Sequence, residues 1–225
     1  MENQQEIATP KNATFEEAEV QKETTLARKE KKRSIFARLF FSGVITSDLK
    51  HTKKIVYIAS IAAFLSIANM FEIKFADVQF SLTIAISALA GVVLGGVFGA
   101  VAAFLGDLVG FLVNSGGFAY MPWVGINLAV IALLAGLIIG GINLKFRGAL
   151  LVKVSVFAVL SFFICTVGIN TTAFWLLYAK GVPYLTYATT RIFIGGQIYN
   201  CLVNYAVLYI IVPTIAKLNI VKFNY

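Results

Sequence analysis

The sequence predicts an all-α integral membrane protein with six transmembrane helices. Of its 225 residues, 59% are hydrophobic and 13% are charged, whereas an ordinary soluble domain carries about a quarter charged residues. The apolar residues are concentrated between Ile55 and Ala216, and one spanning helix needs roughly 20 of them. This stretch therefore has room for six helices with short loops, and a large catalytic domain outside the membrane is excluded.

The chain before the membrane domain is predicted to have two parts. Residues 1–33 mix charges of both signs with few large apolar side chains, which predicts a disordered cytoplasmic tail. Residues 34–54 contain an apolar stretch that is too short to span. We expect an interfacial helix and linker there, with Phe36, Leu39 and Phe40 entering the lipid.

Glycine, proline and charged residues divide residues 55–216 into the six predicted helices. Gly95 and Gly96 interrupt an apolar run that is too long for one helix, and Pro122 suits the first turn of another. An alternative for the glycines is a stripe of small residues at helical spacing that packs against a neighbour. The helices are expected at residues 55–71, two within 80–113, 122–141, 151–178 and 190–216, followed by a cytoplasmic C-terminus at 217–225.

The distribution of lysine and arginine predicts that both termini are cytoplasmic. Sixteen of the 19 basic residues fall in the N-terminal segment, in the loop between helices 4 and 5 with Lys153, or at the C-terminus. The remaining three, Lys74, Lys180 and Arg191, fall at the opposite face. Because cytoplasmic loops are enriched in Lys and Arg, we expect a multi-pass protein of the cell membrane whose loops 72–79, 114–121 and 179–189 face outward.

The sequence contains no recognisable catalytic, metal or nucleotide site. His51 is the only histidine, the helices contain no acidic pair, and no Walker-type loop is present. Cys165 and Cys201 lie inside apolar helices and are interpreted as packing thiols. The net charge of +8 is explained by membrane topology rather than by a nucleic-acid partner. We therefore expect neither an enzyme nor a cofactor, and ATP hydrolysis would need another subunit.

Two polar features inside the helices allow more than one interpretation. Asp107 is the one carboxylate within a helix, so it either relays a proton or cation or is bound by neighbouring polar groups that fix helix packing; we favour packing. Gln197, Asn200 and Asn204 form a stripe on helix 6. This stripe either packs against another helix or lines a lower cavity, and packing is again favoured.

A second group of polar and aromatic residues lies toward the outer half of the membrane domain. Members four apart share a helix face. The group combines amides, flat aromatics and one arginine, which suits an aromatic, amide-bearing or carboxylate-bearing ligand. Interfacial anchoring, interhelical hydrogen bonds and snorkelling are the alternatives. The predicted ligand-binding residues are Trp123, Asn127, Asn170, Thr171, Trp175 and Arg191.

These residues give the chain a resemblance to the substrate-binding subunits of energy-coupling factor (ECF) transporters, within their folate-like group. The segments that carry the resemblance are Ala59-Ser-Ile-Ala-Ala63, GDLVGFLVNSGG, and CTVGINTTAFWLLYAKG followed by Arg191 and Pro213. Within CTVGINTTAFWLLYAKG, Trp175 stands two positions later than the tryptophan of the folate-like members.

The resemblance implies a function and partners. It implies a vitamin bound near the outer surface, with folate as first choice and pantothenate or a related compound as second. It also implies a membrane coupling subunit and two ATPase subunits as partners, with Ala59 and Ala63 docking on the coupling subunit. A membrane scaffold or assembly factor is the alternative, and a sealed outer half would distinguish it.

Overall fold

The computed structural model describes residues 51–70, 73–75, 78–115, 119–142, 144 and 148–217. All described residues belong to one compact unit. The predicted tail, the interfacial segment up to residue 50 and residues 218–225 lie outside the described residues. Residues 51–54, which were expected to be linker, belong to the first helix.

The first half of the described chain contains helices and one small hairpin. The strands β1 and β2 have three residues each and pair antiparallel, with Lys74 opposite Gln79. Helix α4 continues without a break into a π-helical segment. The elements are α1 (His51–Met70), β1 (Ile73–Phe75), β2 (Val78–Phe80), α2 (Thr83–Leu94), α3 (Gly96–Val113) and α4 (Pro122–Ala135, then π-helical over Gly136–Gly141).

The second half contains one long helix, one short helix and one further span. The long helix is α-helical at both ends and π-helical in the middle. The elements are α5 (Ala149–Ser161, π-helical over Phe162–Thr171, then Thr172–Tyr178), α6 (Tyr184–Thr189, then π-helical over Thr190–Ile194) and α7 (Gln197–Lys217).

The predicted all-α membrane fold is confirmed. Five described helices, α1, α3, α4, α5 and α7, are long and apolar enough to cross a membrane. Helix α2 is also apolar but has 12 residues, which gives a length of about 18 Å against a hydrocarbon core of about 30 Å. The sixth predicted helix therefore exists as a shorter element.

The turn between α2 and α3 lies at the predicted glycine pair. Gly95 has a φ of 87°, a conformation that glycine adopts without steric cost. The two helices then pack so closely that a Cβ on Gly99 would lie 2.5 Å from the Gly91 Cα. Both interpretations of the glycines are therefore supported. Gly95 makes the turn, and Gly91 and Gly99 make the contact between the two helices that the turn joins.

Two asparagines of α7 hold the start of α2. Asn204 Oδ1 accepts a hydrogen bond from the Ala85 N–H at 2.8 Å, and its Nδ2 donates to the Ser81 carbonyl at 2.7 Å. Asn200 Oδ1 accepts from the Ser81 N–H at 3.0 Å. The first turn of a helix leaves N–H groups without backbone partners, and α2 has no side-chain cap of its own. Asn200 and Asn204 of the polar stripe predicted on helix 6 therefore pack against the start of α2. This is the interpretation that the sequence favoured.

Helix α1 attaches to the rest of the unit through one of its faces. Ser66 Oγ donates to the Gly106 carbonyl at 2.9 Å, and Leu65 is fully buried. A Cβ on Gly106 would meet Leu65 and the Ala62 carbonyl below 3.0 Å, so glycine is what allows α3 to approach. Ala59 and Ala63, which lie at the edge of this packed face, are exposed.

The structure corrects two further sequence expectations. Helix 6 was expected to run unbroken from residue 190, but the span begins at Gln197, after a break at Gly195 and at Gly196, whose φ is 69°. Lys153 was counted with the loop before helix 5. It lies inside α5, 2% exposed, with its ammonium 3.5 Å from the Ile139 carbonyl in the last turn of α4, where a cation suits the helix C-terminus.

We predict that Gly91→Ala destabilises the protein whereas Gly140→Ala does not. A Cβ on Gly91 would overlap the Ala132 backbone, while one on Gly140 would meet nothing within 4 Å. Overpacking of this kind costs about 1 to 3 kcal/mol or more. Thermal unfolding in detergent measures the difference, and equal midpoints for the two variants would contradict the close approach of α2 to α4.

Candidate functional site

The candidate site is built around an aromatic contact between α4 and α5. Trp123 lies in the first turn of α4, directly after Pro122. Its indole meets the ring of Phe174 edge to face, with ring centroids 5.8 Å apart and planes at 90°, a geometry that aromatic pairs prefer. The contact lies near the first residues of α4 and the last residues of α5, at the membrane face where the sequence predicted a binding site.

Arg191 joins this contact from α6. Its guanidinium carbon lies 4.0 Å from the centroid of the Phe174 ring, within the range of a cation–π interaction. Its Nη1 donates to the Tyr187 hydroxyl at 3.4 Å. Arg191 was expected to open helix 6, but it belongs to the π-helical turn that ends α6. The side chain is half-buried and contacts the α5 aromatic, so it does not simply extend to the headgroups.

Phe174 is the residue that sequence analysis missed. It contacts Trp123, Arg191 and Tyr178, the last with centroids 5.8 Å apart. It is one of 19 phenylalanines in the chain, and it sits in an apolar helix where phenylalanine is common. Its spacing of four from Asn170 shows that the two share a face, and this spacing was the one available signal.

Two amides lie about one helical turn from the aromatic contact. Asn127 follows Trp123 by four residues, and Asn170 precedes Phe174 by four. Because Asn127 lies after Trp123 in α4 and Asn170 lies before Phe174 in α5, both amides lie farther into their helices than the Trp123–Phe174 contact does. Asn127 is 6% exposed, and Asn170 is half-buried.

Four of the predicted residues carry a buried polar atom without a hydrogen-bond partner. Among the described residues five such side-chain atoms occur, and the fifth is Ser87 Oγ on α2. Leaving a polar group buried and unsatisfied costs about 1 to 3 kcal/mol, so a cluster of them indicates a place where a ligand completes the hydrogen bonding. The four are Trp123 Nε1, Asn127 Oδ1, Asn170 Oδ1 and Arg191 Nε.

Thr171 and Trp175 differ from the other predicted residues because their polar atoms are already bonded. Thr171 is fully buried, and its Oγ1 donates to the Thr166 carbonyl at 2.7 Å. The Trp175 indole N–H donates to the Val182 carbonyl at 2.7 Å, and its ring lies edge to face with Tyr184 at 5.4 Å. Trp175 therefore holds the loop between α5 and α6.

The π-helical segment of α5 supplies a further contact to α6. In this segment carbonyls are offset from their usual partners, and π-helical segments frequently occur at functional sites. The Val167 carbonyl accepts from the Tyr184 hydroxyl at 3.1 Å, and Thr172 Oγ1 lies 3.2 Å from the same hydroxyl. The short helix that carries Arg191 is thereby attached to the part of α5 that carries Asn170.

The hydrogen bonds of the other polar groups noted in the sequence go to residues outside this cluster. Asp107 accepts hydrogen bonds from Asn69 and Tyr120. Cys165 and Cys201 are free and buried, and Thr166 Oγ1 lies 3.5 Å from the Cys201 sulfur. Within the described part of the chain, no group of three or more His, Cys, Asp or Glu residues is arranged to hold a metal.

The cluster can recognise a flat molecule that both donates and accepts hydrogen bonds. The unpartnered atoms are two carbonyl acceptors, Asn127 Oδ1 and Asn170 Oδ1, and two N–H donors, from Trp123 and Arg191. The aromatic rings of Trp123 and Phe174 provide apolar walls beside them. A small number of placed polar groups among aromatics is typical of ligand sites.

Comparison with known families identifies the kind of protein. The family model described as ECF-type riboflavin transporter, S component, matches residues 50–219, which is about three quarters of the chain and includes every described element. No curated protein matches the chain significantly. The match supports the predicted ECF transporter subunit over a membrane scaffold, while the riboflavin in the family's description differs from the expected folate-like group. The chain belongs to the ECF-type riboflavin transporter S component family.

Proposed function

We propose that this chain captures riboflavin at the outer membrane face for an ECF transporter. As an S component it is the substrate-binding subunit of a vitamin transporter and associates with an ECF module. The observation that carries the riboflavin proposal is the group of four unpartnered polar atoms beside the Trp123–Phe174 contact. The family's description supports the same vitamin.

The chemistry of riboflavin fits these atoms. Its isoalloxazine ring is flat and apolar on both faces, which suits contact with Trp123 and Phe174. One edge of the ring alternates carbonyl oxygens with an N–H, so it can pair with amide acceptors and with N–H donors. The ribityl chain adds hydroxyls that donate and accept. Asn127, Asn170, Trp123 and Arg191 offer the complementary set.

Charge favours riboflavin over folate. Riboflavin is neutral at pH 7, whereas folate carries two carboxylates that would need compensating cations when bound. Among the six predicted ligand-binding residues, Arg191 is the only cation, and its guanidinium already lies over the Phe174 ring. Folate, the first choice from the sequence, is therefore replaced by riboflavin in this proposal, and pantothenate, which carries a carboxylate and no aromatic ring, fits less well.

We predict that Arg191→Ala weakens riboflavin binding at least about tenfold, because a hydrogen bond to a charged group contributes about 1.5 to 3 kcal/mol. Lys180→Ala is the matched control, since Lys180 is an exposed cation in the loop between α5 and α6, and it should leave affinity unchanged. Isothermal titration of the purified protein with riboflavin measures both variants.

Titration with folate and native mass spectrometry of the protein in gentle detergent complete this experiment. A copurified flavin mass, with riboflavin bound more tightly than folate, is the expected result. Tighter binding of folate would refute the riboflavin assignment. Equal affinity of the parent and a folded Arg191→Ala variant would remove Arg191 from the site.

The exposed face of α1 is proposed as the docking surface for the coupling subunit. Ala59 and Ala63 are exposed, whereas Ala62 between them is 8% exposed and packs inward. Small residues four apart allow another helix to approach closely. Because these two positions are not buried within the described chain, intramolecular packing does not account for their spacing.

We predict that Ala59→Leu combined with Ala63→Leu prevents assembly with the coupling subunit and its two ATPases, and so abolishes uptake, while riboflavin binding is retained. Ala206→Leu, at an exposed position of α7, adds the same bulk elsewhere and serves as the control. Copurification of the tagged complex measures assembly. Assembly at the parental level would refute the docking assignment, and loss of riboflavin binding would show that these alanines maintain the fold instead.

Both termini are proposed to be cytoplasmic, from the basic residues at one side of the membrane domain. We predict that cysteines introduced as Val20→Cys or Lys222→Cys are protected from an impermeant maleimide in intact cells, while Lys180→Cys is labelled. The native Cys165 and Cys201 are buried and should give little background. Labelling at residue 20 or 222 in sealed cells would reverse the topology.

A further inference from the structure

A three-way polar contact joins α1, α3 and the loop before α4. Asp107 on α3 is 7% exposed. Its Oδ1 accepts a hydrogen bond from Asn69 Nδ2 of α1 at 3.4 Å, and its Oδ2 accepts from the Tyr120 hydroxyl at 3.4 Å. The Tyr120 ring also packs on Phe111 of α3, with centroids 5.1 Å apart. Among the described residues, both donors to the carboxylate are neutral side chains.

The backbone of α4 rests directly on this pair. A Cβ on Gly125 would lie 2.9 Å from Asp107 Oδ2 and 2.9 Å from the Tyr120 hydroxyl oxygen. Any side chain at this position would therefore displace the carboxylate or the phenol. Glycine at residue 125 lets the first turn of α4 approach the bonded pair, so the position of α4 depends on where Asp107 holds Tyr120.

The contact is on the side of α4 that faces away from the candidate ligand site. Gly125 is two residues from Trp123 and two from Asn127, which corresponds to a rotation of about 200° around the helix in each direction at 3.6 residues per turn. Trp123 and Asn127, four apart, share the other side. Asp107 thus contacts the side of α4 that carries Gly125, and Trp123 and Asn127 lie on the opposite side.

We infer that Asp107 is a positioning residue for substrate binding: through Tyr120 and Gly125 it fixes the first turn of α4, and so sets where Trp123 and Asn127 meet the ligand. This inference rests on the proposed function, in which those two residues contact riboflavin. It assigns Asp107 a role in affinity without contact with the vitamin. It extends the packing role that the sequence favoured for Asp107 over a proton or cation relay.

The protonation of Tyr120 is consistent with this role. Burial raises the pKa of the Tyr120 hydroxyl, and the negative charge and hydrogen bond of Asp107 raise that pKa further. The phenol therefore remains the protonated donor at neutral and moderately alkaline pH. Because a raised tyrosine pKa favours the protonated folded state, the associated stability is present at neutral pH and is lost as pH rises above the unfolded value near 10.

The test uses the fluorescence of Trp123 to report how accessible this side chain is to a quencher. The chain has two tryptophans, so in a Trp175→Phe background the intrinsic fluorescence comes from Trp123 alone. In this background we expect Asp107→Ala to increase acrylamide quenching of Trp123. In the protein that keeps Trp175, we expect the same substitution to weaken riboflavin binding about five- to tenfold, as for the loss of roughly one hydrogen bond. Asp107→Asn, which keeps an acceptor oxygen, should restore part of both.

Ser161→Ala is the matched control, because Ser161 is also buried and bonded to a tyrosine, Tyr205, at 2.9 Å, but between α5 and α7. It should lower the unfolding midpoint without changing Trp123 quenching. If folded Asp107→Ala behaves like this control, with unchanged quenching and affinity, the positioning role is wrong. Should Asp107→Ala fail to fold, Tyr120→Phe removes only the hydroxyl and should shift quenching in the same direction.

The quenching measurement also separates this inference from the proposed function. Increased quenching with no riboflavin binding by the parent would support the positioning of α4 by Asp107 and refute riboflavin as the ligand. Tight riboflavin binding with unchanged quenching in both Asp107→Ala and Tyr120→Phe would support the ligand and refute the positioning role.

Discussion

The constraint on which this structure depends is that polar groups inside a bilayer must find their partners within the protein. The membrane domain meets it in different ways at different places. Asn204 supplies both an acceptor and a donor to the backbone at the start of α2. Asp107 receives two neutral donors. Against this background, the four unpartnered atoms near Phe174 stand out as a group, and that contrast is the basis for assigning the ligand site.

Glycine has a second role that complements these hydrogen bonds. Lipid tails are as apolar as leucine, so helices in a membrane associate through close packing and through polar contacts. Gly91 and Gly99 allow α2 and α3 to touch, and Gly106 does the same for α1 and α3. These contacts place α3 between two neighbours, which lets one carboxylate on α3 reach both α1 and the loop before α4.

The sequence predicted most of the helices and four of the residues that make up the candidate site. Apolar runs predicted the helices, and the break at Gly95 was predicted because two adjacent glycines interrupt an overlong run. The break before Gln197 was missed, because Gly195 and Gly196 follow an apolar stretch that would continue a helix by composition. Trp123 and Trp175 could not be distinguished from the sequence. Their difference depends on the Val182 carbonyl, which reaches Trp175 only through the conformation of a loop.

The attachment of α1 separates the proposed docking surface from the proposed ligand site. This helix is held mainly by α3 and less by α2, and its exposed face is turned away from them. The side chains around Phe174 come from α4, α5 and α6 instead. If the proposed ligand site and the proposed docking surface are both correct, residues around Phe174 can be exchanged without altering the exposed surface of α1, so cargo specificity and partner compatibility can evolve separately.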